Sequence, residues 1–300
     1  MLDNHYSVLL KETIDSLQVK PDGIYVDLTL GMGGHSAAIL EKLTTGKLIS
    51  FDKDDFAIEK SRERLSKINA NFILVKSDFK YITEELNKLG IKSVDGIIAD
   101  LGISSPQIDN AERGFSYNKD AYLDMRMDQN QSLDAHYIIN NYDVASLEQI
   151  LINNAEVKLA RQVANAIVKS RPIDTTLQFA NVIRNSLPAK IVNAKNPCKA
   201  VFQAIRIAVN NEFESLQTML NKSLDLLKPN AKLAIISFHS IEDRIVKKFF
   251  GALIKDKMPA KMPIKEQKNF SVKVIDPSSS EIELNNRSRS AKLRVLTKLI

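Results

Sequence analysis

The stretch DLTLGMGGHS, residues 27–36, places three of the chain's ten glycines within four positions. The apolar run ahead of it, GIYVDLTL (23–30), reads as a buried strand, and SAAILEKL behind it as a helix. Glycine at such a junction permits a sharp turn at positive φ and lets a ligand lie against bare backbone amides. Asp52 closes the next apolar run, KLISFDKD (47–54), 21 residues after Gly31. In nucleotide-binding α/β folds a carboxylate at that place accepts hydrogen bonds from ribose hydroxyls. The two features together predict a crevice that takes a ribose-bearing molecule.

Two further apolar runs, NFILVKSDF (71–79) and VDGIIADLG (94–102), continue the rhythm of short strand and longer helix. That rhythm predicts a doubly wound parallel sheet covered on both faces. Asp78 and Asp100 follow the third and fourth strands, at the carboxyl edge where such sheets bind ligands. The dinucleotide fingerprint needs a small residue after G-x-G-x-x, and GMGGHS ends in Ser36, which weakens a nicotinamide cofactor without removing it. Asp27, four residues ahead of the first glycine, suits a ligand of positive charge such as S-adenosylmethionine.

From about residue 106 the strand pattern stops, and only amphipathic stretches such as SLEQILINNAEVKLARQVANAIVKS follow. The reading is a helical insertion at 106–204 within a discontinuous α/β domain, 1–105 and 205–300. The α/β pattern resumes with one long helix through VFQAIRIAVNNEFESLQTMLNKSLDLL, then a strand KLAIISFHS (232–240). A lysine-rich segment, 251–268, reads as an exposed mobile loop, and FSVKVID with SAKLRVLTKLI as a hairpin at the sheet's edge.

Composition narrows the classes. A net charge of +6 permits an anionic partner without demanding one, and the absence of tryptophan argues against a broad base-stacking platform. One cysteine excludes an internal disulfide and a cysteine-rich zinc cluster, and no other metal-ligand cluster is legible. No run reaches the roughly 18 apolar residues of a membrane span, and MLDNHYSVLLKE lacks the features of a secretory leader. The expectation is a cytoplasmic protein without a membrane partner.

Eight blocks add a resemblance. HYSVLLKE, DLTLGMGGHS, ADLGISSPQID, RGFSY, LDMRMD, FQAIRIAVNNE, ISFHSIEDR and RSAKLRV run in order from residue 5 to 295. Together they are similar to the bacterial 16S ribosomal RNA cytosine-N4 methyltransferases, the RsmH or MraW family. The resemblance implies a Rossmann-like class I S-adenosylmethionine-dependent methyltransferase sheet, with the insertion serving substrate recognition. It implies N4-methylation of one cytidine in the decoding region of 16S ribosomal RNA, met within the small ribosomal subunit, and leaves a homodimer open. Carried over by position, it places the cofactor on Gly33, Gly34, His35, Asp52, Phe79, Asp100 and Gln107.

Asp100 is also the candidate catalytic acceptor for an N–H of the target amine, although DLGISSPQ departs from the Asp/Asn-Pro-Pro-aromatic motif of many amine methyltransferases. Asn196-Pro197-Cys198 contains the dipeptide of carbon-5 cytosine methyltransferases, but its place at a helix start reads as structural. Arg113 and Arg126, among the aromatics of RGFSYNKDAYLDMRMD, are candidate RNA contacts. So are Arg287 and Arg289 in NNRSRSAKLRV, and His239 in FHSIEDR. NPCKAVFQA carries Ala200 where many family members have arginine, so any RNA contact made by that arginine is lost unless Lys199 substitutes. Two other classes stay open: a nicotinamide-linked oxidoreductase, and a non-catalytic RNA-binding assembly factor that keeps the pocket.

Overall fold

Four apolar runs become four parallel strands: β1 (Ile24–Asp27), β2 (Lys47–Asp52), β3 (Phe72–Lys76) and β4 (Val94–Asp100). Helices α1 (Leu10–Leu17), α2 (Gly34–Leu40), α3 (Asp55–Leu65) and α4 (Ile82–Lys88) precede and separate them. The computed structural model describes residues 7–194, 196–255 and 268–300. The chain divides into two units, Met1–Gly102 with Glu214–Ile300, and Ile103–Phe213.

In the first unit the chain returns through α12 (Glu212–Leu226), β5 (Leu227–Ser237), α13 (Ser240–Ile254), β6 (Phe270–Ile275), α14 (Ser279–Leu284) and β7 (Lys292–Lys298). The seven strands form one sheet in the order β3-β2-β1-β4-β5-β7-β6, with β7 antiparallel to both neighbours. The terminal hairpin is thus present, and β6 is the edge. Side chains alternate between faces with the strand period of two. Val26, Ile49, Ile97 and Ile235 pack on one side with Leu86, Leu220 and Phe250 of α4, α12 and α13. Tyr25, Leu48, Ile98 and Ala234 pack on the other with Leu17, Leu40 and Leu65 of α1, α2 and α3. This is the doubly wound, Rossmann-like sheet that the strand rhythm predicts. Strand order reverses between β1 and β4, and ligands of such sheets bind at the carboxyl ends beside that reversal.

The second unit holds α5 (Ser105–Asp109), α6 (Ala135–Asn141), α7 (Val144–Ala155), α8 (Ala160–Lys169), α9 (Thr176–Asn185), α10 (Ala189–Ala194) and α11 (Cys198–Asn210). Helix α8 buries Ala160, Val163, Ala164 and Ile167, the i, i+3, i+4, i+7 stripe of one helix face. These meet Phe179, Val201 and Phe202 in a core of the unit's own. Cys198 lies inside it with Sγ 3.6 Å from the Ala180 carbonyl, and burial pushes its thiol upward, away from a thiolate nucleophile.

Three sequence expectations shift. The insertion runs to Phe213, because α11 continues unbroken and buries Ile205 and Val209 beside Val201; at its front, Ile103 packs against the same core. The expected single long helix is two, divided at Asn211, whose φ of 51° no α-helix accommodates. The lysine-rich segment is helical through Ile254, with Leu253 packed on the sheet's core, while 256–267 lies outside the described residues.

Candidate active site

The glycine turn is held from three sides. Gly31 (φ +50°) donates its N–H to Asp52 Oδ2 at 2.8 Å, and its carbonyl accepts from the Ser61 hydroxyl of α3 at 2.8 Å. Gly33 (φ +73°) leads into α2, and a Cβ on it would meet Ser61 Oγ at 3.0 Å. A Cβ on Gly34 would come within 1.8 Å of Ser7 Oγ. Two of the glycines are therefore required by the protein's own packing. At Gly31 a Cβ would meet nothing nearer than 3.9 Å, so what favours glycine there is the positive φ of the turn.

Asp27 corrects its reading as the direct partner of a positive ligand. It is 1% exposed, and its oxygens accept from the Ser36 hydroxyl (2.7 Å) and the Thr29 amide (3.0 Å). Ser36 Oγ lies 2.8 Å from Ser50 Oγ, closing a buried chain of hydroxyls beneath the turn. Ser36, which the fingerprint argument treats only as a small residue, thus has a polar task, and Ser50 and Ser61 carry no signal in the local sequence.

Asp52, at the end of β2, also accepts from the Asp54 amide at 2.9 Å. Burial pushes its carboxyl up to about 6, against those amide donors, with the charges of Asp54 and Asp27 adding to the rise. His35 is 4% exposed; burial takes it down to about 4, with a backbone contact to Val8 working the other way, so its imidazole is neutral at pH 7. Its Nδ1 stands 3.8 Å from Asp100 Oδ2, beyond hydrogen-bond reach. Asp100 donates its amide to Thr29 Oγ1 at 2.6 Å. Burial first, then the charges of Asp27 and Glu242, hold its carboxyl well above the ordinary range.

Two buried polar atoms here have no protein partner: His35 Nε2 and Asp100 Oδ1. Such atoms cost free energy unless something bonds them, and they sit at the edge where the strand order reverses. A polar nucleoside fits that need, with donors for Asp100 and Asp52 and groups that a neutral imidazole can serve. Phe79 opens a 3-10 turn, Phe79–Tyr81, and lies half-buried against the sheet's core. Asp78 is structural: it caps that turn at the Lys80 amide (2.9 Å), pairs with Lys53 (2.8 Å) and accepts from Ser215 (2.8 Å).

At the end of β5, His239 is the N-cap of α13, in a capping box with Glu242. Its Nδ1 faces the Glu242 amide at 3.4 Å and its Nε2 lies 2.9 Å from Glu242 Oε1. The expected RNA-contacting histidine is thus tied into a helix start. Arg287 and Arg289 are exposed in the turn Asn286–Ser290 before β7, whose first residue, Lys292, pairs with Ser237 at the carboxyl end of β5. Arg294, within β7, is bound bidentately to Asp243 of α13 at 2.7 and 3.0 Å.

The remaining candidates belong to the second unit. Gln107 is buried and closes a capping box with Ser104 at the start of α5, accepting its amide at 3.0 Å. Arg113 corrects its reading as an RNA contact: it is 6% exposed and donates to the carbonyls of Arg126 and Met127, both at 3.0 Å. Arg126 is spent likewise on the Asp124 carboxylate (2.6 Å) and the Gln131 carbonyl (2.8 Å). Among the described residues no group of His, Cys, Asp or Glu is arranged to hold a metal ion, and no helix is long and apolar enough to cross a membrane.

The sequence profile of the MraW methylase family matches residues 3–299. Three ribosomal RNA small subunit methyltransferases H align over nearly their whole lengths. That of Mycoplasmopsis agalactiae is 64% identical over 300 residues, all of both chains. That of Mycoplasmopsis synoviae is 58% identical, over 100% of this chain and 99% of its own, and that of Mycoplasmopsis pulmonis 56%, over 98% and 99%. A doubly wound sheet with an acid-lined carboxyl edge, matched from end to end by that profile and those relatives, leaves one conclusion: the chain belongs to the MraW methylase family.

Proposed function

We propose that this chain transfers a methyl group from S-adenosylmethionine to the exocyclic N4 amine of one cytidine in the decoding region of 16S ribosomal RNA. The observation that carries the reading is the carboxyl edge of β1, β2 and β4, where Asp52 stands beside the unpartnered His35 Nε2 and Asp100 Oδ1. S-adenosylmethionine, when bound, supplies a methyl group already activated on a cationic sulfur. Gly33, Gly34, His35, Asp52, Phe79 and Asp100 are the residues of the first unit that would hold it. The family resemblance adds Gln107.

Each has a task that follows from its state. Asp52, ionised above about pH 6, accepts the paired hydroxyls of a ribose. Neutral His35 offers Nε2 without bringing a positive charge next to a cationic ligand. The half-buried Phe79 ring gives an adenine an apolar neighbour.

The cytosine amine is a weak nucleophile because its lone pair is delocalised into the ring. An acceptor on one N–H localises that pair on nitrogen, and Asp100 Oδ1 is a buried acceptor that no protein group occupies among the described residues. Methylation leaves the nitrogen with one proton too many, and Asp100, whose surroundings raise its proton affinity, takes it up. Arg287 and Arg289, exposed on the β7 side of the same edge, neutralise phosphates of the RNA. The substrate is met in the small ribosomal subunit, in the cytoplasm; sedimentation of the purified protein shows whether it works as a homodimer.

The test is transfer of labelled methyl from S-adenosylmethionine to small subunits that lack the modification, with the nucleosides then separated. The reading predicts label in N4-methylcytidine, abolished by Asp100→Ala. Label in 5-methylcytidine, or no transfer, contradicts it.

A further inference from the structure

We propose that Asp27, although its own oxygens are spent inside the protein, makes the site discriminate by charge between S-adenosylmethionine and the demethylated product. This inference rests on the cofactor reading above and assigns a specificity role to a residue outside the ligand contacts.

The argument begins with position. Asp27 ends β1, the central parallel strand, and pairs in register with Ser50 of β2 and Ile98 of β4. Asp52 and Asp100 each lie two residues further along those strands, one pleat repeat or roughly 7 Å. The Asp27 carboxylate therefore underlies both ligand-facing acids. It is 1% exposed, and no lysine or arginine among the described residues forms an ion pair with Asp27, Asp52 or Asp100. The cations described near this edge have carboxylates of their own, Lys53 with Asp78 at 2.8 Å and Arg294 with Asp243 at 2.7 Å, while Arg287 and Arg289 are exposed on its β7 side.

Other charged groups near the edge do not cancel it. Glu242, at the start of α13, adds a further acid that acts on Asp100, and Asp54 one that acts on Asp52. His35 is neutral, and Arg64, which donates to the Met32 carbonyl at 3.2 Å, is on the solvent side. Burial pushes the Asp27 carboxyl up, the Ser36 hydroxyl and the Thr29 amide hold its charged form against that, and a cation placed over it favours the charged form further. The sulfonium of S-adenosylmethionine is such a cation. Loss of the methyl leaves a neutral thioether, so the same acids no longer favour the occupant. The donor is retained before transfer and the product released after it.

Asp27→Asn isolates the charge. Its carbonyl keeps the Thr29 amide, and its NH2 donates to Ser36 Oγ, whose hydrogen turns to Ser50 Oγ 2.8 Å away. Calorimetric binding of S-adenosylmethionine, sinefungin (an ammonium in place of the sulfonium) and S-adenosylhomocysteine is compared at pH 8. The variant should lose affinity for the two cationic ligands on the order of tenfold and leave S-adenosylhomocysteine unchanged. Equal losses for all three, or no loss, overturn the proposal. A wild-type protein that binds none of them overturns the cofactor reading itself.

A second measurement needs no variant. In the wild-type protein, the preference for S-adenosylmethionine over S-adenosylhomocysteine should shrink as pH falls from 8 to 5, the range that spans the Asp52 value of about 6, with Asp27 and Asp100 raised in the same direction. The amino acid ends of the two ligands are the same, so their own titration cancels in the ratio. A preference constant across that range also overturns the proposal.

Discussion

Asp52 carries two opposed tendencies in one carboxyl group. Its amide partners, Gly31 and Asp54, hold the charged form, while burial penalises it more strongly and brings it to about 6. A carboxyl raised above its unfolded value stabilises the fold fully below that value and loses this contribution as pH climbs through about 6. The ligand-accepting form, by contrast, is the one that appears above it. Asp52→Asn turns an NH2 toward one of those two amides at every pH, yet its stability relative to the wild type, both free of ligand, should improve by about 1–3 kcal/mol between pH 4 and pH 8. Thermal melts at the two pH values check this. Gly33 and Gly34 offer a related lesson at this scale. The cluster of glycines pointed to a crevice, but the reason each is glycine lies in Ser61 and Ser7, which sit 28 and 27 residues away in the chain.

At the scale of elements, α13 shows how a residue that looks chemical can be architectural. His239 has extended backbone and accepts from the Glu242 amide, while the Glu242 carboxylate receives the Phe238 amide at 3.0 Å and the His239 amide at 3.4 Å. Serine restores such a box. His239→Ser should keep both stability and methyl transfer, whereas His239→Ala should cost about 1 kcal/mol in stability through the lost cap. A His239→Ser protein that folds normally but transfers no methyl would return the histidine to the chemistry. The strands were legible because four apolar runs of short length, each ended by an acid, admit few other readings. The break at Asn211 was not, since the apolar spacing of α11 and α12 passes through it with no proline or glycine to mark it. Arginine was the least legible residue. Arg113 and Arg289 look alike in sequence, and only the fold tells that one is buried against carbonyls and the other exposed.

At the scale of the whole molecule, charge is partitioned against the average. The chain is basic, yet the carboxyl edge of its first unit gathers Asp27, Asp52, Asp100 and Glu242. The family's motif blocks made the activity legible from end to end, but they could not tell which acids face a ligand and which lie beneath it. That distinction came from hydrogen bonds made by Thr29 and Ser36, residues of no distinctive chemistry. Equilibrium binding of S-adenosylmethionine to the ligand-free protein at pH 8, with and without Asp52→Ala and with NAD in competition, bears on the reading most directly. The structure predicts that S-adenosylmethionine binds, that the substitution lowers its affinity at least tenfold, on the order of a charged hydrogen bond lost, and that NAD does not compete. Binding indifferent to Asp52, or displaced by NAD, would contradict it.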